Sequence, residues 1–409
     1  GAPLLEAGPS VPAPDPGAGE DIGPWLGLGL LAGEGEQNFT GLHYDATEGS
    51  FRLRLPFEGF TRVQGRFSTP ALAFTFGAPD PYAALDDYHA LLRSEGKAAA
   101  SPAAPAAWWS RPMFCGWGAQ CEESGLRPGS RAPELARQDL YDRWLAWLEA
   151  RDLTPGTVVL DDKWQATYGQ NEPDPAKWPD LKGWIAGRHA AGQKVLLWWK
   201  AWDPEGLDPA LCVTNSLGAP VSADPTSRAY EAALRASVRA MLGADGLNAN
   251  GFKVDFTGRT PSGAHLRRAP DSDGTAWGLG LLHRLLFVLR DEAKRVKPDA
   301  LVVTHTPNAA FGDVTDMIRL NDVNTGADVV AQMRHRARVA RSALPETPID
   351  TDNWPMPSRA AWRDYVNVQA SLGVPALYFA DRVCGEETTD EDVEAVRACW
   401  NAAERGGRP

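Results

Sequence analysis

The chain has 409 residues, which is more than one small domain needs and leaves room for a domain of about 250 residues with an appended region. Its formal net charge of −12 gives a surface that repels phosphate backbones, so no nucleic acid partner is expected. The sixteen Trp residues offer flat apolar faces of the kind on which sugar rings pack, and this excess favours a carbohydrate ligand.

The first part of the chain predicts a leader and then a β-rich region. Residues 1–20 are rich in Pro, Gly and Ala, which is typical of a flexible leader. Over residues 21–106, short alternating runs such as Phe51–Leu55 and Ala71–Phe76 are punctuated by Gly and Pro and predict strands. A helix is expected over Pro81–Arg93, and an Ala/Pro/Ser-rich linker follows it.

Residues 107–409 alternate strand and helix, which predicts an α/β fold, a (β/α)8 TIM barrel. A doubly wound open sheet is the rival, but it would place a G-x-G-x-x-G turn after the first strand, where this chain has Cys115-Gly116-Trp117-Gly118. The predicted strands are Met113–Trp117, Thr157–Asp161, Lys194–Trp199, Gly251–Asp255, Leu301–His305, Asp316–Leu320, Thr347–Thr351 and Ala376–Phe379. The predicted helices include Glu134–Arg151, Leu181–Ala191, Ala276–Val296, Gly326–Ala343, Arg359–Leu372 and Asp390–Glu404.

The cysteines and the start of the chain give expectations about cofactors and location. The five Cys are odd in number and form no C-x-x-C pair, so neither a disulfide framework nor a zinc site is indicated, and no metal or other cofactor is expected. No apolar stretch is long enough to cross a bilayer, so no membrane partner is expected. The first residues show no signal peptide, which favours a cytoplasmic location. The oligomeric state stays open.

The ends of the predicted strands carry the polar residues that a barrel uses for chemistry. In the fourth strand, period-two alternation puts Lys253 and Asp255 on the same side, pointing into the mouth of the barrel. A neighbouring ammonium keeps a buried carboxylate ionised, and an ionised, positioned carboxylate is what a glycosidase nucleophile must be. A structural ion pair is the alternative interpretation of the same spacing.

A second carboxylate is offered by Asp322, just past the sixth strand and close to Arg319. A general acid needs a raised pKa, and a negative neighbour such as Asp255 would raise it. The alternative is an ordinary loop Asp that caps the next helix, a role that Asn324 or Thr325 could also fill.

Other strand ends predict ligand contacts. Asp161 and Asp162 are adjacent carboxylates that can accept hydrogen bonds from the vicinal hydroxyls of a sugar, although a metal site or a helix cap would also use them. A hydrolytic metal barrel would usually need several His, and the chain has seven with no H-x-H or H-E-x-x-H motif. The further candidate substrate-binding residues are Trp117, Trp164, Trp199, Lys200, Lys253, His305, Arg319 and Asp352.

Five segments together resemble the α-galactosidase superfamily, most closely glycoside hydrolase family 36, with families 27 and 31 as relatives. They are Val158–Gln165, Asp174–Trp184, Lys194–Trp199, Gly251–Asp255, and Arg319 with Asp322. The β-rich region resembles a shortened form of the family's amino-terminal sandwich.

The resemblance implies a retaining hydrolase of terminal α-linked sugars, foremost α-galactosides, with a small oligosaccharide or glycoside as its substrate. It implies that Asp255 is the nucleophile and Asp322 the acid and base, that Asp161 and Asp162 hold the sugar's hydroxyls, and that Lys253 binds one beside the nucleophile. Trp117, Trp199 and Arg319 would shape the pocket.

The chain also departs from the family pattern. Lys163 stands where the family has Gly, and Lys200-Ala201-Trp202 stands where it usually has a Glu-Pro-Glu run. The alternatives are therefore an α-glucosidase or α-xylosidase, a transglycosylase of the raffinose-synthase kind, a non-catalytic carbohydrate-binding barrel, and a metal-dependent hydrolase.

Overall fold

The computed structural model describes residues 24–47, 50–100, 104–274 and 276–406, and the predicted leader over residues 1–20 lies outside these ranges. The elements described before residue 101 are β1 (Trp25–Leu31), β2 (His43–Thr47), β3 (Ser50–Arg54), β4 (Ala71–Ala78) and α1 (Pro81–Ser94). β1 pairs antiparallel with β4, and β2 pairs antiparallel with β3. α1 begins after Asp80, whose carboxylate accepts hydrogen bonds from two N–H groups of the first turn.

The strands after residue 104 form one parallel sheet and two small hairpins. In chain order they are β5 (Met113–Cys115), β6 (Thr157–Leu160), β7 (Lys194–Lys200), β8 (Cys212–Thr214), β9 (Pro220–Ala223), β10 (Gly251–Asp255), β11 (Leu301–Thr304), β12 (Met317–Arg319), β13 (Ile349–Asp350), β14 (Ala376–Leu377), β15 (Arg382–Val383) and β16 (Glu386–Glu387). β8 pairs with β9 and β15 with β16, and the other eight strands follow the order β13-β12-β11-β10-β7-β6-β5-β14.

The eight-stranded sheet closes on itself through the residue before β14. Val374 donates its N–H to the carbonyl of Ile349 at 2.7 Å and accepts the N–H of Thr351 at 3.2 Å. Strand β14, at one end of the sheet, thus meets β13 at the other end, and the sheet forms a closed barrel. The predicted (β/α)8 barrel is confirmed.

Helices cover the outside of the barrel. They are α2 (Trp117–Leu126), α3 (Gln138–Glu149), α4 (Leu181–Ala190), α5 (Arg228–Leu242), α6 (Gly278–Val296), α7 (Val329–Ala343), α8 (Arg359–Leu372) and α9 (Asp390–Gly406). The strands between them are buried on both faces, as expected where one face meets the helices and the other fills the barrel. None of the helices within the described ranges is both long and apolar enough for a bilayer crossing.

Two of the predicted boundaries lie in a different element of the structure. The first strand was expected to reach Trp117, but it ends at Cys115 and α2 begins at Trp117. Gly116 at this break allows a close approach, because a Cβ there would overlap the hydroxyl of Tyr141. α3 begins at Gln138 instead of Glu134, because Glu134 belongs to a separate 3-10 turn.

The region before the barrel packs on the barrel's helices and on one long loop. The ring of Phe60 stacks on Trp277 with ring centroids 3.7 Å apart. Asp86 of α1 pairs with Arg338 of α7, and His89 of α1 lies 2.8 Å from the hydroxyl of Ser342. Trp277 directly precedes α6 and ends the loop that follows β10, so this region contacts the loop that begins beside Asp255.

Candidate active site

The register of β10 against β7 decides which side chains enter the barrel. Lys253 lies beside Trp198, and Asp255 lies beside Lys200. Neighbouring residues in a parallel sheet point the same way, so these four side chains share the inner side, while Val254 and Trp199 take the outer side. The predicted inward direction of Lys253 and Asp255 agrees with this register.

Asp255 ends β10, and its carboxylate is held from two sides. One oxygen accepts the indole N–H of Trp198 at 3.1 Å, and the other accepts an Arg319 N–H at 3.1 Å. Burial alone would raise the pKa of this carboxyl, but the charge of Arg319, with a smaller effect of Lys253, holds it well below its usual range. Since 24% of the side chain is exposed, Asp255 is an ionised, oriented carboxylate that a ligand can reach.

Arg319, the last residue of β12, joins three carboxylates. One terminal nitrogen donates to Asp322 at 3.0 Å and to Asp352 at 2.6 Å, and the other donates to Asp255. Its side chain is 2% exposed, and such a buried guanidinium needs these partners to offset its lost hydration. Asp255 and Asp322 each form a hydrogen bond with the same guanidinium, so their nearest oxygens are less than roughly 10 Å apart. At this separation the two carboxylates can flank a single glycosidic bond.

Asp322 differs from Asp255 in its surroundings. Its side chain is 53% exposed and borders solvent beside Arg319. Burial raises the pKa of its carboxyl, Arg319 opposes the rise, and the charges of Asp352 and Asp255 add to it. The helix-cap alternative for Asp322 is wrong, because α7 begins at Val329 and Asp328 caps it by accepting the N–H of Ala331 at 2.7 Å.

Asp161 and Lys253 form a buried ion pair below this group. The Lys253 ammonium lies 2.6 Å from an oxygen of Asp161, and both side chains are at most 4% exposed. Burial would lower the pKa of Lys253, but the Asp161 charge raises it far above its usual range. The backbone N–H of Asp161 donates to the hydroxyl of Tyr141 at 2.9 Å. The sequence predicted that Lys253 keeps Asp255 ionised, whereas its direct partner is Asp161 and the ion-pair partner of Asp255 is Arg319.

Replacing Lys253 by Met is expected to lower the free energy of unfolding by about 3 kcal/mol, because Asp161 would be left buried without its cation. Chemical denaturation checks this value. Adding Asp161→Asn should restore more than half of the loss, since the neutral amide costs less to bury. The matched control is Lys97→Met, which breaks the exposed pair with Glu36 and should change stability by less than about 0.5 kcal/mol. A loss from Lys253→Met no larger than the control's would contradict the prediction.

Asp162 is tied to an aromatic side chain that the sequence analysis missed. One carboxylate oxygen accepts the Tyr168 hydroxyl at 2.7 Å. Burial, with the Asp161 charge added and the Tyr168 hydrogen bond opposing, raises the pKa of Asp162 to about 6. The ammonium groups of Lys163 and Lys200 each lie 3.8 Å from the centre of the Tyr168 ring. Lys200 also pairs with Asp203 at 2.8 Å.

His305 is buried beside Arg319. Its Nδ1 lies 3.3 Å from an Arg319 nitrogen, and its Nε2 lies 2.7 Å from the hydroxyl of Thr257. Burial and then the Arg319 charge lower the pKa of His305 to about 3, against the opposite effect of Asp255. Since a guanidinium only donates, Nδ1 accepts and Nε2 carries the hydrogen. His305 is therefore a neutral side chain that orients Arg319.

The tryptophans divide between the cleft and the core. Trp117 is partly exposed and packs edge-on against Trp354, with ring centroids 5.6 Å apart. Trp164 is fully buried and donates its indole N–H to the carbonyl of Trp198. Trp199 is 2% exposed and lies on the outer side of β7. Trp164 and Trp199 are thus both buried, although Trp199 was predicted to shape the pocket. Because β7 alternates its side chains, Trp198 points into the barrel instead and contacts Asp255.

Two carboxylates at the end of β13 complete the group. Asp352 is 0% exposed, pairs with Arg319 as described above, and accepts the N–H groups of Asn353 and Trp354. Asp350 accepts the N–H of Asp352 at 2.9 Å, and burial together with the Asp352 charge raises the pKa of Asp350 to about 6. Asp352 was predicted as a substrate contact, but its full burial makes it a support for Arg319 in this structure.

The residues that sequence reasoning missed include Tyr168, Trp198 and Trp354. The Trp198 side chain could have been found from period-two alternation once the register with Lys253 was known. Tyr168 and Trp354 lie on loops after β6 and β13, where sequence carries no periodic signal. Within the described ranges, no group of three or more His, Cys, Asp or Glu side chains is arranged to hold a metal ion.

No protein-family model and no curated protein matches this chain. Several solved structures are similar to it in fold. The chain is similar to the cycloalternan-degrading enzyme from Trueperella pyogenes, with a TM-score of 0.58 and 14% identity over 83% of this chain and 53% of that one. It is also similar to a mutant of Kfla1895 in complex with cyclobis-(1->6)-alpha-nigerosyl, with a TM-score of 0.60 and 13% identity over 94% and 56% of the two chains.

A third similar structure is the cycloalternan-forming enzyme from Listeria monocytogenes in complex with a pentasaccharide substrate. Its TM-score is 0.52 and its identity 11%, over 81% of this chain and 34% of that one. The likeness is one of fold. The chain spans about half of the length of the first two structures and about a third of the third. The resemblance to family 36 stays a prediction, since none of these structures bears that name.

Proposed function

We propose that this protein is a retaining glycoside hydrolase that cleaves α-linked sugars, with Asp255 as its nucleophile and Asp322 as its acid and base. The observation that carries the proposal is the shared guanidinium of Arg319, which joins two carboxylates at the mouth of one barrel. Their pKa values are displaced in opposite directions, and such a pair divides the roles of ionised nucleophile and protonated acid.

In the first step, an oxygen of Asp255 attacks the anomeric carbon and forms an ester. The bond from that carbon to the leaving oxygen breaks, and this oxygen takes both the electron pair and the proton of Asp322. In the second step, Asp322 takes a proton from water while the water oxygen attacks the anomeric carbon. The ester bond breaks, Asp255 leaves as a carboxylate, and the anomeric configuration is retained.

The other polar groups would orient the sugar. Asp162 and Tyr168 lie together at the rim, where a sugar hydroxyl can compete for the carboxylate that the Tyr168 hydroxyl now occupies. Trp117 and Trp354 present partly exposed rings on which an apolar sugar face can pack. Asp161, Lys253 and Asp352 are too deeply buried to meet a sugar in this structure, and they hold the groups above them.

We propose α-linked glucose as the first candidate sugar. The similar structures include a cycloalternan-degrading enzyme, its complex with isomaltose, and a complex with cyclobis-(1->6)-alpha-nigerosyl, and these ligands are α-linked glucans. An α-galactoside is the second candidate, favoured by the resemblance of Asp161-Asp162-Lys163-Trp164 and Gly251–Asp255 to the α-galactosidase superfamily.

A panel of 4-nitrophenyl glycosides tests the proposal. We expect hydrolysis of the α-glucoside with at least roughly a 100-fold preference over the α-galactoside, because a site that bonds one hydroxyl orientation leaves its partners unpaired with the epimer. Proton NMR should show the α-anomer as the first product. The Asp255→Asn protein, prepared identically, controls for contaminating enzymes. Activity on the α-galactoside alone would select the second candidate, and activity on none would favour a carbohydrate-binding barrel.

A further inference from the structure

The loop that carries Asp322 is held by an arginine from the next helix. The carbonyl oxygens of Leu320, Asn321 and Asp322 accept hydrogen bonds from one terminal nitrogen of Arg336, at 3.0, 2.9 and 2.7 Å. Arg336 lies on α7, two turns after this helix begins at Val329. The carbonyl groups of three consecutive residues are therefore held by one side chain.

A positive charge stabilises three carbonyl oxygens that lie around one point. Three carbonyl oxygens that point at one place repel one another, and a guanidinium, which only donates and stays charged, relieves this repulsion. The backbone turns sharply there, because Asn321 has a φ of 70°, in the left-handed region. The left-handed turn at Asn321 thus brings the three carbonyl oxygens together, and the guanidinium of Arg336 stabilises this arrangement.

The side chain of Asp322 has little support of its own. It is 53% exposed, and the side-chain hydrogen bond described for it comes from Arg319. A substrate that enters between Asp255 and Asp322 would compete for that bond. The same helix holds the loop at a second point, where Gln332 accepts the N–H of Asn324 at 2.9 Å. The backbone clamp is therefore the fixed part of the support for this carboxyl.

We propose that Arg336 is a positioning residue, which holds the backbone of Asp322 so that its carboxyl reaches the leaving oxygen and then the attacking water. The inference rests on the proposed function. Arg336 acts through Asp322 and touches no reacting atom, and its effect is on proton transfer. A displacement of about 1 Å at such a group costs on the order of 100-fold in rate.

The leaving group separates this role from a general effect on folding. A phenyl or methyl glycoside needs a proton on its leaving oxygen, whereas fluoride leaves from an α-glycosyl fluoride with little help. A misplaced acid therefore slows the first kind of substrate and spares the second. Loss of folded protein lowers both equally. The value of kcat/KM reports the formation of the covalent intermediate in each case, so later steps do not mask the difference.

The test compares Arg336→Lys and Arg336→Met with the wild type, using the phenyl α-glycoside and the α-glycosyl fluoride of the sugar that the wild type hydrolyses. We expect Arg336→Met to lower kcat/KM for the phenyl glycoside about 50-fold and for the fluoride less than about 3-fold. Arg336→Lys keeps the charge and should recover part of the loss. The matched control is Arg334→Met, an exposed position on the same helix, which should change neither value.

Two results would overturn the inference while the proposed function stands. One is an Arg336→Met protein that hydrolyses both substrates like the wild type. The other is an equal loss on both substrates in both variants, together with a lower melting temperature, which would make the clamp purely structural. Failure of the proposed function has a different signature, because the wild type itself would then hydrolyse neither substrate. If Arg336→Met does not fold, Arg336→Lys provides the test. A larger loss of kcat/KM for the phenyl glycoside than for the fluoride supports the inference, and an equal loss contradicts it.

Discussion

Replacing Asp255 by Asn is expected to lower kcat/KM on the order of 10⁵-fold for every substrate, whatever its leaving group. The amide keeps the shape of the carboxylate, and its single oxygen can still accept from Arg319 while its NH2 group takes the place beside Trp198, so the fold should remain intact. It cannot form the ester, and this is why an activated leaving group brings no rescue. The measurement is hydrolysis of the α-glycosyl fluoride and the phenyl glycoside side by side.

Chemical rescue sharpens the Asp255 prediction. In an Asp255→Gly protein, azide can enter the space of the missing side chain and attack the anomeric carbon of an α-glycosyl fluoride as fluoride leaves. The expected product is the β-glycosyl azide, since azide takes the face that the carboxylate used. The control Asp245→Asn changes an exposed loop residue and should leave activity unchanged. More than a tenth of wild-type activity in Asp255→Asn, or an α-glycosyl azide product, would contradict the assignment.

The barrel could be predicted from sequence because its signals are local and repeated. Each strand is a short apolar run, and each helix has its own periodicity, so eight repeats reinforce one another. Arg359–Leu372 was predicted with the bounds that the structure has, because Ser358 caps its start and Gly373 follows its end. The α3 start was misplaced because its preceding 3-10 turn continues the apolar pattern.

The partners of the charged residues could not be predicted in the same way. Spacing showed that Lys253 and Asp255 share one side of β10. Residues two positions apart on a strand are separated by about 6.6 Å, so spacing alone did not show whether their side chains pair. Lys253 reaches past β7 to Asp161, which follows β6, and Asp255 is paired past β11 by Arg319 from β12. Such choices depend on the order of the strands in the sheet and on the lengths of the side chains, which residue spacing within one strand does not give.

Alternation alone also left the tryptophans of β7 unresolved. Trp198 and Trp199 are adjacent, so one must face the barrel and the other the helices, but only the pairing of Lys253 with Trp198 says which. Loop residues such as Tyr168 and Trp354 are harder still, since their positions follow from the path of the loop. The Arg336 clamp joins positions fourteen to sixteen residues apart and has no sequence pattern that would reveal it.

Replacing Asp322 by Asn is expected to divide substrates by leaving group. For the phenyl glycoside, kcat/KM should fall about 1,000-fold, because the proton donor is lost. For the α-glycosyl fluoride, kcat/KM should fall less than about 10-fold, while kcat falls further because no base activates water. Azide needs no base, so it should restore kcat and give the α-glycosyl azide. Asp328→Asn, at the cap of α7, is the matched control on the same loop.

The pH profile gives an independent test of the same residue. Asp322 acts as an acid while it is protonated, and its raised pKa keeps it so to higher pH than an ordinary aspartate. For the phenyl glycoside, kcat/KM should therefore hold at acidic pH, where the lowered pKa keeps Asp255 ionised, and decline as pH rises through the pKa of Asp322. In Asp322→Asn, the residual kcat/KM for the same phenyl glycoside should lose that alkaline decline. If it persists unchanged, another group is the acid, and Asp162 is next because its pKa is raised to about 6 in the same cleft.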